Sequence, residues 1–318
     1  MKRVREIFMQ VLPIFYFPTT IVCIDDDDMF LDGLRTVLDT KYNVLTYNNS
    51  EEALMELKEY RSPVAKVSFL QSLVEHEYYD APNYAPINLN INYLYQLAQL
   101  ADRAQEISIL IIDYHMKEMD GLELCAKLYG APFKKILLTG VVDQQRAINA
   151  FNNKLIDGFI TKSDINLLKS LTDSIKFLED QYFVELTATL RNNLEISHVL
   201  PLSDPIFIKF FTNWIQENDI KEYYLIDKNG SFLTINTQNE RSYFIVHTDY
   251  SLNGLIQLYQ EDKQLAPFVS SIEARHKIPF FGQNLRADQV APTLWGNYLY
   301  TPELLDGRER YYWCNITM

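Results

Sequence analysis

Residues 107 to 121 read ISILIIDYHMKEMDG. From Ile107 to Ile112 five of six residues are apolar and four are isoleucine, and the run stops abruptly on Asp113. A strand buried on both faces of a parallel sheet reads this way. Asp113 is therefore expected at a strand's C-terminal end, the edge of an open α/β sheet where ligands and chemistry gather. An aspartate capping the next helix accounts for the position equally well.

Three further apolar runs end on polar groups and shift that balance. TIVCIDDDD, Thr20 to Asp28, carries a short strand into four consecutive acids. KKILLTG, Lys134 to Gly140, closes on Thr139, and GFITKSD, Gly158 to Asp164, closes on Lys162. Acids, acid, hydroxyl and ammonium in that order are the components of a phosphoryl-transfer site. Clustered carboxylates hold Mg²⁺, one carboxylate is the nucleophile, and a hydroxyl and a cation bind the oxygens of the transferred group. A run of acids at a helix start also complements the helix dipole, and that plainer role is assigned to Asp27 and Asp28.

In these four segments the chain resembles the receiver domain of two-component response regulators. The order matches: an acidic pair after the first strand, D-x-x-M-x-x-M-D-G after the third, Thr after the fourth, and Lys three residues beyond an aromatic after the fifth. The spacings, 26 positions from Asp113 to Thr139 and 23 from Thr139 to Lys162, are ordinary for the family. The resemblance implies a flavodoxin-like (βα)5 fold. It implies Asp113 as phosphoacceptor, Asp25 and Asp26 as the metal-holding pair, and Mg²⁺ as the ion, with the backbone carbonyl of His115 as a further ligand. Thr139 becomes the hydroxyl switch, Lys162 the phosphate-binding cation and Phe159 the aromatic switch. The implied phosphoryl donor is a sensor histidine kinase or a phosphotransfer protein.

The chain departs from the family in three places. Asp25 and Asp113 are 88 positions apart, so residues 59 to 104 are read as carrying an insertion, partly helical and packed, with a Tyr/Asn/Pro-rich tip between Glu75 and Asn92. Lys117 stands where the family usually has proline. Ser163 follows Lys162 where the family also has proline, often after a cis bond, which costs a non-proline residue about 2.5–4 kcal/mol.

Outward from the site, Met29 to Leu38 has helical period, Asn43 to Tyr47 reads as a strand, and Ser50 is the expected cap of a helix running to Lys58. Residues 1 to 18 read as an extension packed on the receiver. The apolar spacing from Ile165 to about Ile196 predicts an unusually long helix that runs on as a connector. The expected domains are thus a receiver over 1–180, a connector over 181–201 and an α+β output domain over 202–318. Within the last, Asp204 caps a helix from Pro205, EYYLID and SFLTIN form a hairpin around Lys228-Asn229-Gly230, and YFIVHT and Tyr311 to Ile316 are further strands.

Composition limits the output. The 318 residues carry a formal charge of −13, which argues against a broad electrostatic footprint for nucleic acid. No helix-turn-helix, cyclase signature or P-loop is visible, and His198, His247 and His276 are solitary. Cys23, Cys125 and Cys314 are too widely spaced for a disulfide framework or a zinc site and indicate a reducing compartment. No stretch reaches the roughly 20 apolar residues of a membrane span, and prolines interrupt the apolar N-terminus, so a cytoplasmic protein is expected. Aromatic strands, notably Tyr223, Tyr224, Phe232, Tyr243, Phe244, Tyr311, Tyr312 and Trp313, favour a sheet with one adhesive face for a protein target, a homodimer or a small ligand, while ordinary core packing explains most such residues. The expected function is a phosphorelay response regulator, not an enzyme beyond its own phosphorylation and dephosphorylation, signalling by protein contact. A pseudo-receiver scaffold, and an output domain that binds nucleic acid or has its own activity, stand as alternatives.

Overall fold

The structure, a computed structural model, describes residues 11–66, 91–196, 200–282, 285 and 287–318. In chain order its strands and helices are β1 (Phe15–Tyr16), β2 (Thr20–Ile24), α1 (Asp28–Leu38), β3 (Asn43–Tyr47), α2 (Ser50–Glu59), α3 (Pro63–Lys66), α4 (Asn92–Leu97), β4 (Ile107–Asp113), α5 (Gly121–Lys127), β5 (Lys134–Thr139), α6 (Gln144–Asn152), β6 (Gly158–Thr161) and α7 (Leu167–Ile196). There follow α8 (Pro205–Glu217), β7 (Ile220–Leu225), β8 (Phe232–Asn236), β9 (Arg241–Thr248), α9 (Asp249–Tyr259), α10 (Ala266–Glu273), β10 (Ile278–Pro279), β11 (Leu299–Tyr300), β12 (Glu303–Asp306) and β13 (Arg310–Thr317). The chain divides into two compact units, one of residues 17–68 and 100–186, the other of residues 1–16, 69–99 and 187–318.

The first unit is a parallel five-stranded sheet in the order β3-β2-β4-β5-β6, as the flavodoxin-like reading requires. The alternation within β4 explains its composition. Ile109 and Ile111 pack with Leu31, Leu34 and Leu38 of α1 and with Leu171, Ile175 and Leu178 of α7. Leu110 and Ile112 pack on the other face with Ala53 and Leu57 of α2, Leu124 and Cys125 of α5, and Ala147 and Ala150 of α6. Each large aliphatic side chain so buried is worth about 1.5–3 kcal/mol, so a polar residue between Ile109 and Ile112 has no place to go. Strand order reverses between β2 and β4, and the crevice at that switch point opens beyond their C-terminal ends.

Local signals set the helix starts. Asp27 caps α1 by accepting the amides of Met29 and Phe30, the plain role read for it. The cap of α2 is Asn49, which accepts the amides of Glu51 and Glu52, and not Ser50, which is buried inside the first turn. The Asn carboxamide has the reach to take both amides, which leaves Ser50 free to enter the core.

The far end of the sheet is closed by α7. At the N-terminal ends of the three central strands, Thr19 donates to Glu179 Oε1 at 3.0 Å, Tyr182 donates to the buried Glu106, and Lys134 Nζ lies 2.7 Å from Glu185. Residues 179, 182 and 185 recur every three positions, so one stripe of the helix takes β2, β4 and β5 in turn.

The second unit corrects three expectations. Residues 11 to 16 do not extend the receiver. β1 pairs antiparallel with β7, Phe15 opposite Tyr224 and Tyr16 opposite Tyr223, at one edge of a six-stranded sheet ordered β1-β7-β8-β9-β13-β12. Part of the insertion also belongs here: α4 buries Leu94 and Leu97 and packs on β7. Residues 67–90, which hold most of the Tyr/Asn/Pro-rich tip, lie outside the described residues, as does His198. Finally, the aromatic face is not free. Phe211 of α8 stacks on Phe232 at 4.5 Å and meets Phe244 at 5.0 Å and Tyr223 at 5.6 Å, while Phe210 lies 5.0 Å from Trp313. Tyr223, Phe232, Phe244, Tyr311 and Trp313 are the other half of this helix's core, while Tyr243 packs on Phe280 and Tyr312 lies against Arg275. The α8 start, the hairpin, β9 and β13 stand where the sequence put them, with Asp204 as the cap and Pro205 at the first turn.

Candidate functional site

The acidic site is assembled by register. Ile24 of β2 stands opposite Ile112 of β4, so the next residues, Asp25 and Asp113, emerge side by side at the switch point. One carboxylate oxygen from each of Asp25, Asp26 and Asp113 lies within 4.8 Å of the others. Asp25 is 2% and Asp113 5% exposed, so their mutual repulsion is poorly screened. Lys162 answers it: its Nζ lies 2.6 Å from Asp25 Oδ2 and 2.8 Å from Asp113 Oδ1. The same ammonium stands over the Phe30 ring, 4.6 Å from its centre.

Burial raises the Asp113 carboxyl above the ordinary aspartate range; Lys162 opposes this and the neighbouring Asp25 charge reinforces it. For Lys162 burial works against the charge, but its hydrogen bonds to Asp113 and Asp25 outweigh it, and its affinity for the proton is raised. The ammonium is therefore charged at neutral pH.

Thr139 and Lys162 are brought together by the β5–β6 pairing, which places Thr139 opposite Thr161 and lets the Lys162 amide donate to the Thr139 carbonyl at 2.9 Å. The Thr139 side chain is fully buried and donates to the Gly140 carbonyl at 3.1 Å, so its hydroxyl is not joined to the carboxylates. Phe159 is half-buried on β6, 6.3 Å from Phe151 and packed against the α2/α5/α6 core. The His115 imidazole is 2.7 Å from Asp143 Oδ2. All peptide bonds described are trans, the one between Lys162 and Ser163 included.

Several residues at the site escaped the sequence reading. Lys117, noted only as a missing proline, places its Nζ 3.6 Å from Asp26 Oδ2. Asp143 holds His115, and Phe30 underlies Lys162; neither has a signal a single sequence reveals. Gly121 did have one, the D-G that closes the opening motif. A Cβ there would stand 2.2 Å from the Asp113 carbonyl oxygen and 3.0 Å from Leu137, so only glycine lets the start of α5 come this close to the strand that bears Asp113. Away from the site, His247 is buried with Nε2 2.9 Å from the Pro279 carbonyl and Nδ1 3.1 Å from Ser251 Oγ. Desolvation lowers its pKa, which fits a neutral core histidine.

The set is all-oxygen and anionic, the donor chemistry of a hard divalent cation, and the three acids fit one. No protein-family model and no curated protein matches the sequence. Among solved structures the Legionella pneumophila response regulator LqsR is similar over 96% of this chain and 89% of its own, at 27% identity and a TM-score of 0.75. An adenylate cyclase from Rhodopirellula baltica matches 55% of this chain and 96% of its own at 18% identity and a TM-score of 0.36. A Thermotoga maritima response regulator in complex with Mg²⁺-BeF matches 50% and 98% at 19% and 0.32. At such TM-scores the last two carry no argument about function.

Proposed function

Since the chain is a response regulator built on a receiver domain, we propose that it accepts a phosphoryl group on Asp113 from the phosphohistidine of a sensor kinase or phosphotransfer protein. The observation that supports this best is Lys162 bonded at once to Asp25 and Asp113, at the C-terminal ends of adjacent parallel strands. In the transfer an Asp113 carboxylate oxygen forms the new P–O bond while the P–N bond breaks, and the leaving imidazole keeps the electron pair and takes a proton. Asp25, Asp26 and Asp113, with the His115 carbonyl, would hold Mg²⁺, and the ion would supply positive charge against the carboxylates and the phosphoryl oxygens. Lys162 supplies the cation on the other side of the group. Thr139 would turn its hydroxyl from the Gly140 carbonyl toward the added charge of about −1.5 to −2 and draw Phe159 inward, an interaction that differs between the two states.

The second unit is read as the output, acting through protein association. Exposed apolar side chains such as Tyr250 at 83% and Leu258 at 73% support that reading. Among the described residues no helix is long and apolar enough to cross a membrane. Incubation with acetyl phosphate and Mg²⁺ tests the phosphoacceptor: wild type is expected to become labelled, and Asp113→Asn to lose nearly all label. Equal labelling of the two would remove Asp113 from the role.

A further inference from the structure

The acidic cluster carries two lysines rather than one. Lys162 binds Asp25 and Asp113, while Lys117 faces the remaining acid, its Nζ 3.6 Å from Asp26 Oδ2. Two ammonium groups face three carboxylates, so the site is largely self-neutralised before a cation arrives. The two lysines differ in how firmly they are placed. Lys162 is 31% exposed and doubly bonded, but Lys117 is 78% exposed on the loop that follows Asp113, and among the described residues its ion pair is with Asp26. A solvated side chain of this kind swings aside at little cost, so it tunes a site rather than blocking it.

We propose that Lys117 sets how tightly this cluster holds its divalent cation, by competing for Asp26; the proposal rests on the metal reading above. A cation bound by Asp26 and Asp113 takes the place of the ammonium on Asp26 and then lies a few ångströms from it, so Lys117 opposes binding twice. It first occupies a ligand and then repels the ion. The size of the effect follows from the exposure: at this distance and in a mostly aqueous dielectric, one unit charge alters a divalent ion's affinity by about three- to tenfold. Salt screens it, because the pair is open to solvent and the screening length is about 8 Å at physiological ionic strength. Functionally, Lys117 places half-saturation at a higher Mg²⁺ concentration, so that phosphorylation of Asp113 responds to the ion over a range where a site without this lysine is already full.

The experiment is a calorimetric Mg²⁺ titration of the full chain, wild type against Lys117→Gln and Lys117→Arg, at low and at high ionic strength. Lys117→Gln removes the charge from an exposed side chain and leaves the core untouched. The expected result is about three- to tenfold tighter binding by Lys117→Gln at low salt, wild-type affinity in Lys117→Arg, and a difference that shrinks as salt rises. Equal affinity of wild type and Lys117→Gln at low salt overturns the proposal and leaves the metal reading standing. A difference that ignores salt, or that Lys117→Arg shares, also overturns it, because the effect then comes from loop shape and not from charge. Binding by none of the three proteins removes the metal reading, and the proposal with it.

Discussion

At the scale of single residues, the site depends as much on a missing side chain as on charged ones. Gly121 lies where α5 leaves the strand that bears Asp113, with its amide donating to the Tyr114 carbonyl at 2.9 Å. The atom a Cβ would strike is the Asp113 backbone oxygen, not the end of a flexible side chain, so the backbone itself has to yield. Overpacking of this kind costs about 1–3 kcal/mol. Gly121→Ala is therefore expected to lower the midpoint of urea unfolding and, by displacing Asp113, to weaken Mg²⁺ binding along with it. A variant of wild-type stability and affinity would show that the helix start relaxes at no cost.

At the scale of elements, α7 stands out among the helices of the first unit. Its early turns bury Leu171, Ile175 and Leu178 against the sheet, and its next turns pin strand starts through polar bonds at 179, 182 and 185. The middle bond meets Glu106 at the start of β4, whose other end is Asp113, so α7 is tied to the strand that bears the acid. Glu106 also accepts from Ser62 Oγ at 2.6 Å and from the Val64 amide, so losing Tyr182 leaves it partly satisfied. Tyr182→Phe removes one hydrogen bond to the buried Glu106 side chain, and leaving a buried acceptor short of a partner costs about 1–3 kcal/mol. Hydrogen exchange is expected to accelerate by about tenfold or more around residues 179 to 186, each factor of ten being about 1.4 kcal/mol, with α1 unchanged. Uniform acceleration over the unit would mean that α7 is no separate element of stability.

At the scale of the whole molecule, the charge of −13 bears on what the output does. Proteins that grip DNA concentrate lysine and arginine, because phosphate contacts supply most of the non-specific affinity and make it fall steeply with salt. Here Arg275 and Arg310 both pair with Asp249, at 2.8 and 2.9 Å, so part of the second unit's basic charge is neutralised where it stands. Light scattering and partner capture, each with and without acetyl phosphate, are expected to show a change in oligomeric state or bound protein. Tight, salt-sensitive DNA binding by the full chain would replace protein association with a transcription-factor output.

The sequence by itself determined the parallel sheet and the polar residues at its edge. Strands buried on both faces must be continuously apolar, and the polar residues that end them have only the sheet edge to occupy, so Asp25, Asp113, Thr139 and Lys162 could be located before any coordinates. The second unit's helix, hairpin and strands were legible for a similar reason, since caps and turns are local codes, as at Asp204 and Asn229-Gly230. Only the tertiary structure decided what pairs across long separations. That Phe15 and Tyr16 join a sheet more than 200 positions away, at Tyr223 and Tyr224, follows from an edge strand's need for a partner, which no local pattern records. The same holds for α8 covering the aromatic strands, for the polar stripe of α7, and for Lys117 beside Asp26. Each is fixed by where the packed backbone carries a side chain, a property of the folded whole that sequence spacing does not contain.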